Sequence, residues 1–303
     1  MKLPNGKKMA GRITGDSTLD QTVLSELRCL NLGCGRRIHP AWENVDFLAV
    51  LPSVRSFDLR KGVPYPDESF DVVYHSHLLE HFAHSRASEF LRECRRVLKP
   101  GGILRVVVPN LEAIVRGYLE ALECAAQGMA GWEENYDWMV IELLDQCVRE
   151  QSGGAWNVFL RQQPIPNWEF VQQRVGTEAK VALTAIRSGN LATPTDRHLV
   201  SPKLNYALRN PGRVLRNFVA RITLGHEDYE ALQVGRFRRN GEIHQWMYDS
   251  YSLARLFRQV GFLNPRAMAA TQSTIPNWDD YCLDSEPDGS TYKPDSLFME
   301  SAK

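Results

Sequence analysis

An apolar run, Leu30-Asn31-Leu32, breaks into Gly33-Cys34-Gly35, and Asp46 then closes a second short run, Glu43-Asn44-Val45-Asp46. The first run reads as a buried strand. Glycines at its end let the backbone approach a ligand closely, because no Cβ stands in the way. An acid at the tip of the next strand can accept hydrogen bonds from both hydroxyls of a ribose. Together they describe a nucleoside site at the carboxyl edge of a parallel sheet. The acid follows the glycines more closely than the roughly 20 residues of a nicotinamide-binding unit, which argues against a dehydrogenase.

Further motifs follow in order: Phe57-Asp58-Leu59, Asp67 through Tyr74, His77-Leu78-Leu79-Glu80-His81, and Arg95 through Gly102 leading into a strand at Ile103–Val108. Near the C-terminus stand Gly241 through Asp249 and Lys293-Pro294-Asp295-Ser296-Leu297-Phe298. In order and spacing the chain resembles the class I S-adenosylmethionine (SAM) dependent methyltransferases of the type 11 set, and within it a bacterial subgroup often linked to surface-glycan assembly. The resemblance covers about residues 27–115 and 235–303. It implies a Rossmann-like α/β fold with a seven-stranded sheet, mostly parallel with the last strand antiparallel, and SAM as cofactor. Two departures stand out. Residues 36–41 leave room for a turn or two where a helix usually follows the glycines. Arg37 stands where a third glycine is common, and Asn31 where an acid is.

At 303 residues the chain is one large domain, or one domain with an insertion. Its formal net charge of zero disfavours general nucleic-acid binding. Six cysteines, none in a Cys-x-x-Cys pair, read as reduced and mostly buried, in keeping with a cytoplasmic protein. No apolar run is long enough to cross a membrane, and the basic N-terminus lacks the apolar stretch of a signal peptide.

Along the chain, residues 1–20 read as a flexible arm, 21–126 and 241–303 as the SAM-binding core, and 127–240 as a mainly helical insertion that caps the sheet edge and builds the acceptor region. Strands are expected at Arg28–Leu32, Glu43–Asp46, Ser53–Phe57, Phe70–Tyr74, Ile103–Val108, Arg266–Gln272 and Ser296–Ser301, the last two as an antiparallel pair. Core helices are expected at Ser85–Leu98 with Ser85 as N-cap, Leu111–Ala126 and Ser250–Val260. Helical periodicity also marks Trp138–Glu150 and Val171–Ile186. Arginines from Arg209 to Arg239 interleave with Val214, Leu215, Phe218, Val219 and Ile222. The favoured reading is an amphipathic helix packed on the core; weak contact with an anionic membrane surface is the alternative.

The resemblance places SAM against Gly33 and Gly35, its ribose on Asp46, its adenine at Asp58 and Leu59, and its methyl end near Ser76. Sulfonium methyl transfer asks the protein to align a nucleophile, exclude water and remove a proton. Of eight histidines, four lie between His75 and His84. His77 follows the fourth strand and is the expected base, with His244 the competing candidate. His77, Glu80 and His81 have helical spacing that could hold a divalent metal, but the sequence offers no partner ligand and no metal is expected. His244, Trp246, Met247, Tyr248 and Asp249 suit a pocket wall or hinge. The expected function is methylation, at oxygen, of a small-molecule or glycan-type acceptor. The alternatives are a non-catalytic SAM-binding protein and an RNA methyltransferase. The oligomeric state is not readable.

Overall fold

A computed structural model describes residues 27–49, 51–188 and 211–303, and leaves aside the side chain of Arg213. The expected N-terminal arm and Arg209 lie outside the described residues. A seven-stranded sheet runs in the order β3-β2-β1-β4-β5-β7-β6. Its strands are β1 (Cys29–Leu32), β2 (Trp42–Asp46), β3 (Val54–Ser56), β4 (Phe70–Ser76), β5 (Leu98–Pro109), β6 (Leu263–Met268) and β7 (Ser296–Ala302). The first five pair in parallel and β7 runs antiparallel to both β5 and β6. This is the Rossmann-like arrangement expected. Its first chain reversal in strand order falls between β1 and β4, where open α/β sheets place their ligands.

The helices are α1 (His84–Val97), α2 (Leu111–Ala126), α3 (Trp132–Val148), α4 (Gly154–Leu160), α5 (Trp168–Val175), α6 (Thr177–Arg187), α7 (Pro211–Arg238) and α8 (Ser250–Gln259). One sheet face is covered by α1 and α8, through Phe90, Leu91, Cys94, Leu253 and Phe257. Among the described residues, no such helix covers the opposite face. There the β6–β7 connection lies across the strands, and its Ile275, Trp278 and Leu283 pack on Cys29, Trp42, Val72 and Tyr74. The short β1–β2 turn makes this cover necessary. It is closed by the buried Asn31 amide, which donates to Asn44 Oδ1 and to the Arg37 carbonyl, both at 3.0 Å. Arg37 in turn stacks on Tyr292 and donates to the Ser285 carbonyl, docking the turn on the same connection.

Beneath that cover lies a fully buried cation, Arg105 on β5. It meets Asp284 and Glu300 at 2.7 Å each and donates to the carbonyls of Ala269, Ala270 and Gln272. Asp284 also accepts from the Tyr74 hydroxyl at 2.6 Å. Every charge in the cluster is therefore paired and hydrogen-bonded, the condition for burying one.

Several elements differ from expectation, each for a visible reason. β6 ends at Met268, before Ala269–Gln272, whose carbonyls turn to hold Arg105. The Lys99–Gly102 turn lies inside β5 as an irregularity between the Phe70–Leu98 and Val72–Ile103 pairs. Helix α1 begins at His84 after Ala83 and has no side-chain cap, so Ser85 is not its N-cap. The helix expected over Val171–Ile186 is two, α5 and α6. They part at Gly176, with φ 67° and an added Cβ only 2.5 Å from the Tyr292 carbonyl oxygen.

Helices α2 to α6 form their own core around Trp138, Met139, Phe159 and Val171. Helix α7 is interrupted at Gly225, and near its end Arg238 caps α3 by donating to the Cys147 and Val148 carbonyls. Its first half is not packed as expected. Leu215, Phe218 and Ile222 are 63%, 62% and 66% exposed. Among the described residues no helix is long and apolar enough to cross a membrane.

Candidate functional site

A cleft of about 500 Å³ opens at the carboxyl ends of β1, β2, β3 and β4. Of the expected site residues, Gly33, Asp46, Asp58, Leu59 and His77 all line it. Gly33 and Gly35 have φ of 65° and 53°, the left-handed region that glycine enters freely. Gly33 is required twice over, since a Cβ there would stand 2.8 Å from Leu78 Cδ1. Gly35 does not itself line the cleft. Its N–H donates to Asp46 Oδ2 at 2.9 Å, while Asp46 Oδ1 accepts from the Leu48 N–H at 3.0 Å. The acid thus holds the glycine turn and keeps lone pairs directed at the cleft.

Asp58 stands at the end of the segment after β3 and caps the single 3₁₀ turn Leu59–Lys61. Its carboxylate is gripped by Arg60, from Nε at 2.8 Å and from the second guanidinium nitrogen at 3.0 Å. Arg60 holds it below the usual carboxylate range. The sequence reading missed this partner, which also lines the cleft and reaches over Phe47. Ser76 does not line the cleft. Strand alternation places it on the Tyr74 face of β4, away from His75.

The floor of the cleft is a cluster of histidines around one buried acid. His77 leaves β4 with φ 50°, and its Nε2 lies 2.9 Å from Ser296 Oγ. Its Nδ1 is 3.4 Å from Glu80 Oε1. Leu79–His81 is one 3₁₀ turn and not the start of α1, so the three residues do not share a helix face as expected. Glu80 and His81 instead meet His244, whose Nε2 is 3.9 Å from Glu80 Oε1. The His81 and His244 rings stand edge to face, 4.9 Å between centroids. His81 lines the cleft; His244 stands behind it.

Burial dominates the protonation of this cluster. It holds His77 and His244 well below the ordinary imidazole range, with other nearby positive groups acting in the same direction. It lowers His81 as well and lifts Glu80 to about 8. Burial thus disfavours the charged form of every group in the cluster. His244 arrives on a strap at residues 243–248. The Gln245 N–H donates to the Glu80 carbonyl at 2.7 Å, the Gln245 side chain to the His81 carbonyl at 2.8 Å, and the His244 N–H to the Gln146 carbonyl of α3 at 2.9 Å. The strap ends at Asp249, which caps α8 with a reciprocal bond to Ser252. It joins the helical region to the floor of the cleft, and Arg238 to Gly241 complete one wall.

Sheet order and cleft together define a Rossmann-like α/β fold with its cleft at the carboxyl edge of the parallel strands. The family model described as "Methyltransferase domain" matches residues 30–106, which span β1 through most of β5. A probable S-adenosylmethionine-dependent methyltransferase of Mycolicibacterium smegmatis is 42% identical over 57 residues, 18% of this chain and 21% of that protein. The chain thus spans about a fifth of the length of the curated relative it matches. Among solved structures, a SAM dependent methyltransferase from Archaeoglobus fulgidus aligns over 91% of this chain and 86% of its own, at 13% identity and a TM-score of 0.35. A complex between the Haloferax volcanii Trm112 methyltransferase activator and a methyltransferase aligns over 91% and 82%, at 11% identity and a TM-score of 0.36.

Proposed function

We propose that this chain transfers a methyl group from SAM, held in the cleft at the ends of β1 to β4, to an acceptor that enters past the helical region. One observation carries the reading: the glycine turn, Asp46, Asp58-Leu59 and His77, scattered over 45 positions of sequence, line one cleft in a segment that matches a methyltransferase domain. Gly33, whose missing Cβ lets Leu78 pack close beside it, is the proposed neighbour of the methionine portion. Asp46 is the proposed partner of the ribose hydroxyls, and the Asp58-Leu59 segment that of the adenine; both line the cleft. Sulfonium chemistry needs no covalent intermediate; the cleft's work is alignment, exclusion of water and removal of a proton.

His77 is the proposed proton acceptor. Burial disfavours its protonated form, its ring reaches the cleft, and its Nε2 contact with Ser296 Oγ fixes its orientation. The residue 127–240 region is proposed as the acceptor-binding part, through the wall at Arg238–Gly241. An oxygen nucleophile on a small-molecule or glycan-type acceptor is the proposed substrate class, resting on the likeness of the motifs to the glycan-linked subgroup.

The test is calorimetry with SAM, followed by detection of S-adenosylhomocysteine on incubation with candidate sugars and small hydroxylated acceptors. Stoichiometric binding with turnover supports the reading. Binding without turnover across that set favours a non-catalytic SAM-binding protein, and no binding removes the reading.

A further inference from the structure

We propose that Glu80, His81 and His244 form a binding site for one divalent transition-metal ion of the zinc type, at the floor of the cleft. The inference stands apart from methyl transfer and does not depend on it.

The three side chains offer one donor atom each, and these atoms all lie within 4.8 Å of one another. Around a zinc ion bound at about 2.0–2.1 Å, tetrahedral donors stand roughly 3.3 Å apart. The observed His244–Glu80 separation of 3.9 Å is therefore within reach of small side-chain rotations. Two imidazoles and one carboxylate are the donor set of open zinc sites, which leave a fourth direction for a non-protein ligand. His81 lines the cleft, so the site borders space from which water or another small ligand can reach it.

Glu80 supplies an independent observation. Its side chain is fully buried, yet neither carboxylate oxygen has a hydrogen-bond partner among the described residues. A buried acid in that state is costly unless something binds it. Its neighbours within reach are the His77 and His244 rings, at 3.4 and 3.9 Å.

The surroundings are built as an outer shell. His81 Nδ1 lies 3.0 Å from the Ile243 carbonyl, so Nδ1 carries the proton and Nε2 presents its lone pair. The residue next to that carbonyl is His244 itself, so one strap both orients one ligand and supplies another. The two nearest buried cations are already matched: Lys293 by Glu178 at 2.9 Å and Arg149 by Asp145 at 2.8 Å.

The experiment uses the full chain without a polyhistidine tag, stripped by chelator and titrated with Zn²⁺, and separately with Co²⁺ for its visible spectrum. The expected result is one equivalent of Zn²⁺, and a Co²⁺ spectrum of four- or five-coordinate type without thiolate charge transfer. Mg²⁺ should not compete, because imidazole donors favour the later transition metals. His81→Gln and His244→Gln should each weaken Zn²⁺ by more than the roughly 10–100-fold typical of losing an outer-shell partner. Circular dichroism checks that the variants fold; if neither does, the wild-type stoichiometry and Co²⁺ spectrum decide. Less than one equivalent bound, a thiolate-type spectrum, or unchanged affinity in both folded variants would overturn the site.

Discussion

Gly35 donates its backbone N–H to Asp46 Oδ2 at 2.9 Å, so the acid expected to hold a ribose also fixes the turn in front of it. Asp46→Ala should therefore remove a ligand contact and loosen the glycine turn together. The contact alone is worth about 1.5–3 kcal/mol, the range for a hydrogen bond to a charged group. Asp46→Asn keeps an oxygen for Gly35 and separates the two effects. Calorimetry should find SAM weakened in both variants, and thermal melts should find only the alanine variant destabilised. Unchanged SAM affinity in both would remove Asp46 from the site.

Gly33→Ala places a methyl group 2.8 Å from Leu78 Cδ1, at a φ of 65°. Left-handed backbone with a Cβ costs roughly 1–2 kcal/mol by itself. The Leu78 side chain can yield only by moving, and both residues line the cleft. The variant should lose both stability and SAM affinity. Adding Leu78→Ala should recover part of the affinity and leave the backbone cost in place; a double-mutant cycle measures the two.

His77→Ala should lower the methyl-transfer rate by roughly 10²–10⁴ with SAM binding intact, the usual worth of a positioned base. His77→Gln should not restore it, since an amide takes no proton at neutral pH. His244→Ala is the companion variant. A full rate in His77→Ala would remove it as the base.

These candidates were legible to different degrees, and the reason is distance along the chain. Gly33, Asp46, Asp58 and His77 announce themselves because each closes a strand, and a parallel sheet brings strand ends to one edge. The helix at Leu111–Ala126 follows from local pattern in the same way, whereas the antiparallel β6–β7 pair was expected only from the family resemblance. What local pattern could not show is which residues come from afar. Glu80, His81 and His244 meet across 164 positions, through bonds from the Gln245 backbone and side-chain amide to the Glu80 and His81 carbonyls, pairings that no local spacing announces. Arg60 was available at short range, two positions after Asp58, but arginine beside aspartate is common on any surface. Ser76 is absent from the cleft lining, and strand alternation applied from Tyr74 gives the reason, since it turns Ser76 to the Tyr74 face.

Arg105 holds the second face together, and its variants should show it. Asp284→Ala leaves a buried guanidinium short of one partner and should cost about 3–5 kcal/mol. Arg105→Met removes the cation but strands Asp284 and Glu300, with a loss of similar size. Urea denaturation of both measures it. A loss below about 1 kcal/mol in each would mean that the network is not stabilising.

Cys34 sits in the glycine turn, where burial first and Asp46 second push its thiol up to about 12. At pH 8 the thiolate fraction is then on the order of 10⁻⁴, and the thiolate is the reactive form. Iodoacetamide should modify Cys34 far more slowly than free glutathione, with labelling followed by mass spectrometry. Rates comparable to glutathione at pH 8 would contradict that burial.

The β6–β7 connection that covers the helix-free face has a consequence for how the chain matures. Tyr74 meets Asp284 across 210 positions and Arg105 meets Glu300 across 195. On the ribosome, β1 to β5 emerge long before the segment that shields Cys29, Trp42 and Tyr74. Until then that apolar surface faces water, in a topology of long-range contacts that folds slowly. Nascent chains stalled before residue 269 should be the ones that engage chaperones.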